Sequence, residues 1–350
     1  MERLKEALAG YPHATTLMRM LNRREAVDSS QIEGTSTGYD DLEIYELESA
    51  PDTGKEQKKD AADTFAYVTA FSNAQNWIRQ KGMQGLTLEM LQVAHHSLMA
   101  GSPEKSPGSI RDRQNYIGRS FADARFIPPP PDVVPRLLND FAQFLQWDYD
   151  TEMPQSILMR TAIAHVQFEA IHPFLDGNGR LGRMLLPLMF EADDQIPIHL
   201  ASFLKLRKDE YYDALIASQM KLNWKPWLTL YLECVIASCR HTRALVSNCQ
   251  ELRLRWGEEY KAARRHAAIH KVLDTLLGFP YVTATTLASQ INVSFPAAKN
   301  AIDQLVHGGT LRLCDNKING SSAYYAHEVV NILMTGLDAV LEAVQSPRPW

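Results

Sequence analysis

The sequence predicts a mainly α-helical protein with a small β-hairpin in its first half and a winged-helix module toward its C-terminal end. Three observations predict it. Apolar residues recur at helical spacing through most of the chain. The stretch 101–131 breaks that spacing with Gly, Pro and Arg, and holds two short strand-like runs around a polar turn. The last ~80 residues change to two short helices joined by a turn, followed by two strand-like runs that flank an Asn/Gly turn.

Taken in order, residues 17–27 read as a helix that runs into Asp28-Ser29-Ser30-Gln31-Ile32-Glu33-Gly34-Thr35. Residues 51–59 are polar and read as a loop. Residues 60–79 are amphipathic, with Phe65, Val68 and Phe71 on one face. Thr87 caps the next helix in an incomplete capping box, with Met90 where Glu would stand. Asn115-Tyr116-Ile117-Gly118 and Ala124-Arg125-Phe126-Ile127 are the two strands of the hairpin. Pro128-Pro129-Pro130-Pro131 forbids helix and sheet pairing and predicts an extended spacer. Helix resumes with the stripe Val134, Leu137, Leu138, Phe141 and Leu145. The run 154–170 is apolar enough to be buried on most sides. Further helices follow Gly179, span 208–221, and cover 226 to about 277 with a break expected near Cys249 or Trp256. In the terminal module, helices over 285–290 and 295–307 are joined by Asn292-Val293-Ser294. Gly308-Gly309 stops the second helix, and 311–313 and 323–325 form the wing. Three regions follow: an N-terminal helical region over 1–100, a core over 101–225 holding the hairpin (115–127), and a helical connector with the winged helix (about 270–327) over 226–350.

Composition narrows the function. A net charge of −5 over 350 residues excludes a nucleic-acid coat or a polybasic membrane binder. Met1-Glu2-Arg3-Leu4-Lys5-Glu6 has no apolar signal region, and no run of ~18 apolar residues is present. Cys234, Cys239, Cys249 and Cys314 form no CxxC pair and read as reduced thiols. These features lead to the expectation of a cytoplasmic protein without a membrane partner. His95-His96 has no His or Cys at metal-ligand spacing and reads as helix core plus surface.

The segment that carries chemistry is His172-Pro173-Phe174-Leu175-Asp176-Gly177-Asn178-Gly179-Arg180-Leu181-Gly182-Arg183. Glycines on both sides of Asn178 let backbone N–H groups approach an anion, and the N-terminus of the helix that follows adds its dipole. Arg180 and Arg183 lie one turn apart and suit a polyphosphate. Asp176 is a hard oxygen ligand for Mg²⁺. His172 can take a proton from an incoming hydroxyl near neutral pH. Together these parts describe transfer of a phosphate-containing group to an alcohol.

The segment matches the signature HxFx(D/E)GNGRxxR at every defined position, and the chain resembles the Fic family over roughly residues 15–220. The resemblance implies a Fic-type helical core and transfer of AMP from ATP to a Ser, Thr or Tyr hydroxyl of a target protein. It implies His172 as general base, Asp176 as Mg²⁺ ligand, and Gly177, Asn178 and Gly179 as the anion hole. Arg180 and Arg183 would bind the phosphates, with Arg183 on the γ-phosphate, and Phe174 would pack beneath the loop. The hairpin would be a flap, with Ile117, Gly118 and Phe126 docking the target as an added strand. Ser29-Ser30-Gln31-Ile32-Glu33-Gly34 fits the family's inhibitory pattern (S/T)xxxE(G/N), within a helix of about 17–35. Ser29 is its hydroxyl position, and Glu33 would pair with Arg183 in place of the γ-phosphate. Family members commonly form homodimers.

The base of ATP is expected near Tyr211 or Tyr212, although both also fit an ordinary amphipathic helix. Over 261–317 the residues Lys261, Arg264, Arg265, Lys271, Lys299, Arg312 and Lys317 outweigh Asp274, Asp303 and Asp315 by about +4. The helix 295–307 offers Lys299, Asn300 and Gln304, a thin set for base readout, so protein contact is favoured over DNA. The alternatives are a DNA-binding regulator and a Fic enzyme of other specificity, AMP removal included.

Overall fold

The computed structural model describes residues 1–48, 56–118, 120–146, 156–262 and 268–346. The loop expected over 51–59 falls partly outside these residues; from Glu56 the chain is already helical. The N-terminal region is α1 (Glu2–Ala9), α2 (Ala14–Ile32), α3 (Tyr39–Leu47), α4 (Glu56–Lys81) and α5 (Leu88–Leu98). Thr87 caps α5 as expected, its side chain accepting from the Met90 N–H. A two-stranded antiparallel hairpin follows, β1 (Ile117–Gly118) and β2 (Ala124–Phe126), pairing Ile117 with Phe126. Pro130 is extended at φ −56°, ψ 149°.

The centre of the molecule is α6 (Val134–Leu145), α7 (Ile157–Ile171), α8 (Asn178–Ala192), α9 (Ala201–Leu206) and α10 (Lys208–Lys221). The start expected at Pro154 lies outside the described residues. α7 packs on α6, α8, α10 and the long helix that follows. It is buried nearly all round, so its polar side chains must find partners inside. His165 Nδ1 donates to the Gly182 carbonyl (3.1 Å), and its Nε2 accepts from Tyr211 Oη (2.8 Å). Trp227 Nε1 donates to the Ala162 carbonyl (2.9 Å). Burial pushes the His165 pKa down to about 3, which keeps the ring neutral for these roles.

α11 (Lys225–Glu259) is one unbroken helix, contrary to the break expected near Cys249 or Trp256. Leu245, Cys249, Leu252 and Trp256 continue a single buried stripe at i, i+4, i+7 and i+11, so the packing surface never changes face. After it come α12 (Ala268–Leu276), β3 (Tyr281–Thr283), α13 (Ala284–Gln290), α14 (Phe295–His307), β4 (Arg312–Ile318), β5 (Ser321–Tyr325), α15 (His327–Met334) and α16 (Leu337–Gln345). The strands form an antiparallel sheet ordered β3-β5-β4. Asn319 and Gly320, at φ 49° and 77°, close the β4–β5 hairpin in a two-residue turn. The α13, α14 and hairpin elements stand where the sequence places them; β3, α15 and α16 are additional. The four cysteines are free thiols, and no helix among the described residues is long and apolar enough to cross a membrane.

α2 runs to Ile32, beyond the apolar spacing that ends at Val27, because its polar positions are held from outside. Asp28 accepts from Ser202 Oγ (2.5 Å) and Lys205 Nζ (2.8 Å), and Glu25 Oε2 accepts from the Ala201 N–H (2.9 Å). The same helix meets the C-terminal region. Arg19 Nη1 donates to the Gly278 carbonyl (2.8 Å), its guanidinium lies 4.1 Å from the Phe279 ring centre, and Arg24 donates to the Leu333 carbonyl.

Backbone approach at Gly278 is so close that a β-carbon there would overlap the Cβ of Thr16. Gly278→Ala is therefore expected to destabilise the protein by about 1–3 kcal/mol, the range for overpacking. A urea midpoint equal to that of the unsubstituted chain would show that this contact relaxes freely.

Candidate active site

The loop between α7 and α8 is built by ending one buried helix and starting another within seven residues. α7 stops because His172 takes a left-handed conformation, φ 49°, ψ 60°, a costly backbone for a non-glycine residue that surrounding contacts must hold in place. α8 starts at Asn178, earlier than the position after Gly179 expected from the sequence, with Gly177 as its cap at φ 75°. The first intrahelical bond is Leu181 N–H to the Gly177 carbonyl (3.0 Å). The N–H groups of Asn178, Gly179 and Arg180 therefore have no acceptor within the helix, and they form the positive end of its dipole.

The loop's shape is enforced from below. Asn178 Oδ1 accepts from the Phe174 N–H (2.9 Å), and Asn178 Nδ2 donates to the Phe174 carbonyl (2.8 Å). The Asn178 side chain is thus committed to the loop, and only its N–H remains for a ligand. Phe174 is fully buried and stacks on His95, ring centres 3.8 Å apart. His95 Nδ1 accepts from the Gly108 N–H (2.8 Å), so its other nitrogen carries the proton and donates to the Asp176 carbonyl (2.9 Å). Burial lowers the His95 pKa to about 4 and keeps this tautomer uncharged. Asn115 Nδ2 donates to the carbonyls of Phe174 (3.2 Å) and Leu175 (3.3 Å).

Above the loop, Arg183 is 1% exposed and fully engaged. Its Nε donates to Ser29 Oγ (2.9 Å), and its Nη2 donates to the Ser29 carbonyl (3.0 Å) and to Glu33 Oε1 (2.5 Å). The structure thus brings together Ser29 and Glu33 of the (S/T)xxxE(G/N) pattern and Arg183, the expected partner of Glu33. Glu33 stands at the C-terminal end of α2 with its side chain 38% exposed. A β-carbon at Gly179 would collide with Glu33 Oε1, so the carboxylate lies directly over the first turn of α8. Burial opposes ionisation of Glu33, but Arg183, Arg180 and His172 together hold its pKa below the usual carboxylate range. Burial likewise opposes the charge of Arg183, and Glu33 above all holds it.

Asp176 stands at the loop's edge, 46% exposed, with Oδ2 3.5 Å from Lys105 Nζ and Oδ1 4.0 Å from Arg180 Nη2. Among the described residues no group of three His, Cys, Asp or Glu side chains could hold a metal alone. One accessible carboxylate still fits Mg²⁺, which takes one or two carboxylates and completes its shell with phosphate oxygens and water. His172 is partly buried, with its Nδ1 sealed from solvent, and burial drives its pKa down to about 4. It is neutral at pH 7 and free to accept a proton.

These residues open on a cavity of about 230 Å³ lined by Glu33, His172, Gly179 and Arg183 on one side and by Tyr212, Leu215, Ile216 and Gln219 of α10 on another. The flap covers it with Ile117, Gly118 and Arg125; Phe126 pairs with Ile117 but is not part of the wall. Arg125 ion-pairs with Asp213 and ties the flap to α10. Both tyrosines line the cavity; Tyr211 is 1% exposed with its hydroxyl spent on His165, whereas Tyr212 is partly exposed. Sequence reasoning missed Glu169, a buried carboxyl on the same wall that burial raises to about 7. It also missed the supports Asn115 and Arg111, and gave His95 no role at the loop. A helical i, i+3 spacing to His172 was the one available signal for Glu169.

Comparison with known proteins places the chain among relatives. A family model described as Fic/DOC family N-terminal matches residues 1–76, and the Fic/DOC family model matches residues 85–190. A probable protein adenylyltransferase of Aquifex aeolicus is 46% identical to the chain over 63 residues, 18% of each sequence. A protein adenylyltransferase of Caenorhabditis briggsae, fic-1, is 30% identical over 131 residues, 37% of this chain and 24% of the relative. The matched segments thus span less than a quarter of either relative's length. A Fic-domain signaling protein from Bacteroides thetaiotaomicron superposes with a TM-score of 0.59 at 17% identity, over 70% of this chain and 96% of the other, which shows a shared fold. Two successive family models match more than half of the residues between them, and the chain belongs to the Fic/DOC family.

Proposed function

We propose that the protein transfers AMP from ATP to a hydroxyl side chain of a target protein and that Glu33 holds this activity down. The observation that carries the proposal is the placement of a neutral His172 beside a helix N-terminus whose anion site is filled by the chain's own carboxylate. The triphosphate would lie along the N–H groups of Asn178, Gly179 and Arg180, with Arg180 and Arg183 neutralising it. The base would lie against Tyr212, Leu215, Ile216 and Gln219. A target segment would pair with the flap beside Ile117 and Gly118, which brings its hydroxyl to His172. His172 takes the hydroxyl proton, the oxygen attacks the α-phosphorus, and pyrophosphate leaves. Asp176 would hold Mg²⁺ against the phosphates, and that ion supplies charge neutralisation when bound.

Glu33 and a γ-phosphate compete for Arg183. With the carboxylate in place, the nucleotide must sit off line, and misplacement of about 1 Å can cost ~100-fold in rate. Support for a DNA-reading module is thinner. Lys299 ion-pairs with Asp303, and Gln304 Nε2 donates to Asn300 (3.1 Å), so the three residues offered for base readout are engaged on their own helix. Arg264 and Arg265, part of the basic bias, lie outside the described residues. We read 270–327 as a winged-helix module for protein contact. Four free thiols fit a cytoplasmic setting.

Incubated with ATP and Mg²⁺ and followed by intact-mass spectrometry, Glu33→Gly is expected to raise AMP incorporation about 10- to 100-fold. An unchanged rate would remove the inhibitory role. His172→Ala in the Glu33→Gly background is expected to lower the rate by about 10²- to 10³-fold, the worth of a general base; a rate within a factor of two would assign the proton to another group. Because burial favours the neutral form of His172, the Glu33→Gly rate should show no loss traceable to this histidine between pH 8 and about 5.5. A fall near pH 6.5 that survives Glu169→Gln would contradict its lowered pKa.

A further inference from the structure

Arg111 lies between α5 and the flap and is 3% exposed. Its guanidinium meets main-chain carbonyls from two directions. Nε donates to His172 O (2.8 Å), and Nη2 donates to Ile171 O (3.4 Å). Nη1 donates to Arg113 O (3.1 Å), and Nη2 also donates to Pro129 O (2.5 Å). Its own N–H donates to Pro173 O (2.9 Å). Arg113 and Pro129 are the two legs of the flap, one before β1 and one after β2. Ile171 and His172 are the turn that ends α7.

Among the described residues no carboxylate forms an ion pair with this charge. Burial is the one influence on its ionisation and acts against the charged form. An unpaired buried cation is costly, and a side chain needed only to fill the space would be apolar. What offsets the charge is the carbonyl-rich C-terminal end of α7, where the helix dipole favours a cation. The left-handed backbone of His172 turns its carbonyl out of the helical ladder, and Arg111 is the side chain that meets it.

Resting on the AMP-transfer reading above, we propose that Arg111 is a positioning residue whose fork joins both legs of the flap to the backbone of His172. A target strand paired with the flap and the ring that accepts its proton then share one rigid support. The guanidinium is required because its planar fork reaches both directions at once; an ammonium on a flexible stem presents a single point. ATP itself touches other residues, so loss of the fork should misplace the acceptor hydroxyl and leave nucleotide binding largely intact.

The test uses the full chain carrying Glu33→Gly, with Arg111 intact, Arg111→Lys or Arg111→Met. Amide hydrogen exchange without nucleotide is followed first. Both variants are expected to exchange about 5-fold faster or more at 113–126 and at 171–174, with α8 and α11 unchanged. Faster exchange in the flap alone, or a uniform rise through the chain in both variants, would overturn the proposal. Incubation with ATP and Mg²⁺ then gives AMP incorporation into the chain by intact mass and ATP affinity by calorimetry. The initial rate is expected to fall about 10- to 100-fold in Arg111→Lys, while the ATP dissociation constant moves by less than about 3-fold. Parallel loss of affinity and rate, or an unchanged rate, would overturn it. If the chain with Arg111 intact binds ATP and incorporates no AMP, the reaction assigned above fails instead, and the exchange pattern still decides whether flap and turn are joined.

Discussion

A guanidinium with 1% exposure sets the terms for everything around it. Arg183 cannot remain charged in the interior without acceptors, and the acceptors it has come from a helix 150 residues earlier in the chain. Ser29 contributes a hydroxyl and a carbonyl, and Glu33 contributes a carboxylate. The contact fixes α2 against α8. It also places the negative charge that best suits the first turn of α8 where an external anion would go. On the proposed function, a phosphate group that displaced Glu33 would satisfy Arg183 in its place, so binding and inhibition would be two solutions of one desolvation problem.

The helix that carries Ser29 and Glu33 is held by polar contacts more than by oil. Arg24, Glu25 and Asp28 are buried, and they meet Leu333 of α15 and Ala201, Ser202 and Lys205 of α9. Removing α2 would expose several charges from their partners at once. Glu33 differs: it caps the helix, its side chain is 38% exposed, and it is held by one ion pair. Exchange of the carboxylate for a ligand would therefore require a side-chain rotation and one frayed turn at most, while the body of α2 stays in place.

The sequence exposes part of this design and conceals the rest for physical reasons. The loop from His172 to Arg183 is legible because anion binding demands glycines and arginines at short, fixed spacing. The partnership of Glu33 and Arg183 is legible only through a family pattern, since nothing local links residues so far apart. His95, Arg111 and Asn115 are opaque. Each acts by hydrogen bonds to main-chain carbonyls or N–H groups, which any residue supplies, so no complementary side chain marks the other end. Asn178 looks like a ligand-binding amide between two glycines, yet its side chain is consumed by Phe174. The continuity of α11 was hidden because Cys249 and Trp256 look like interruptions until their common face is seen. β3 is three residues long and fully buried, too short for alternation to show.

The order of residues along α2 and α8 has a consequence for biosynthesis. Translation releases Glu33 150 residues before Arg183, roughly 8–30 s earlier at ~5–20 residues per second. The loop cannot fold before its last arginine emerges, and by then the carboxylate that fills its anion site has long been available. A newly made chain thus has no interval in which the folded loop exists and the carboxylate that lies over it does not.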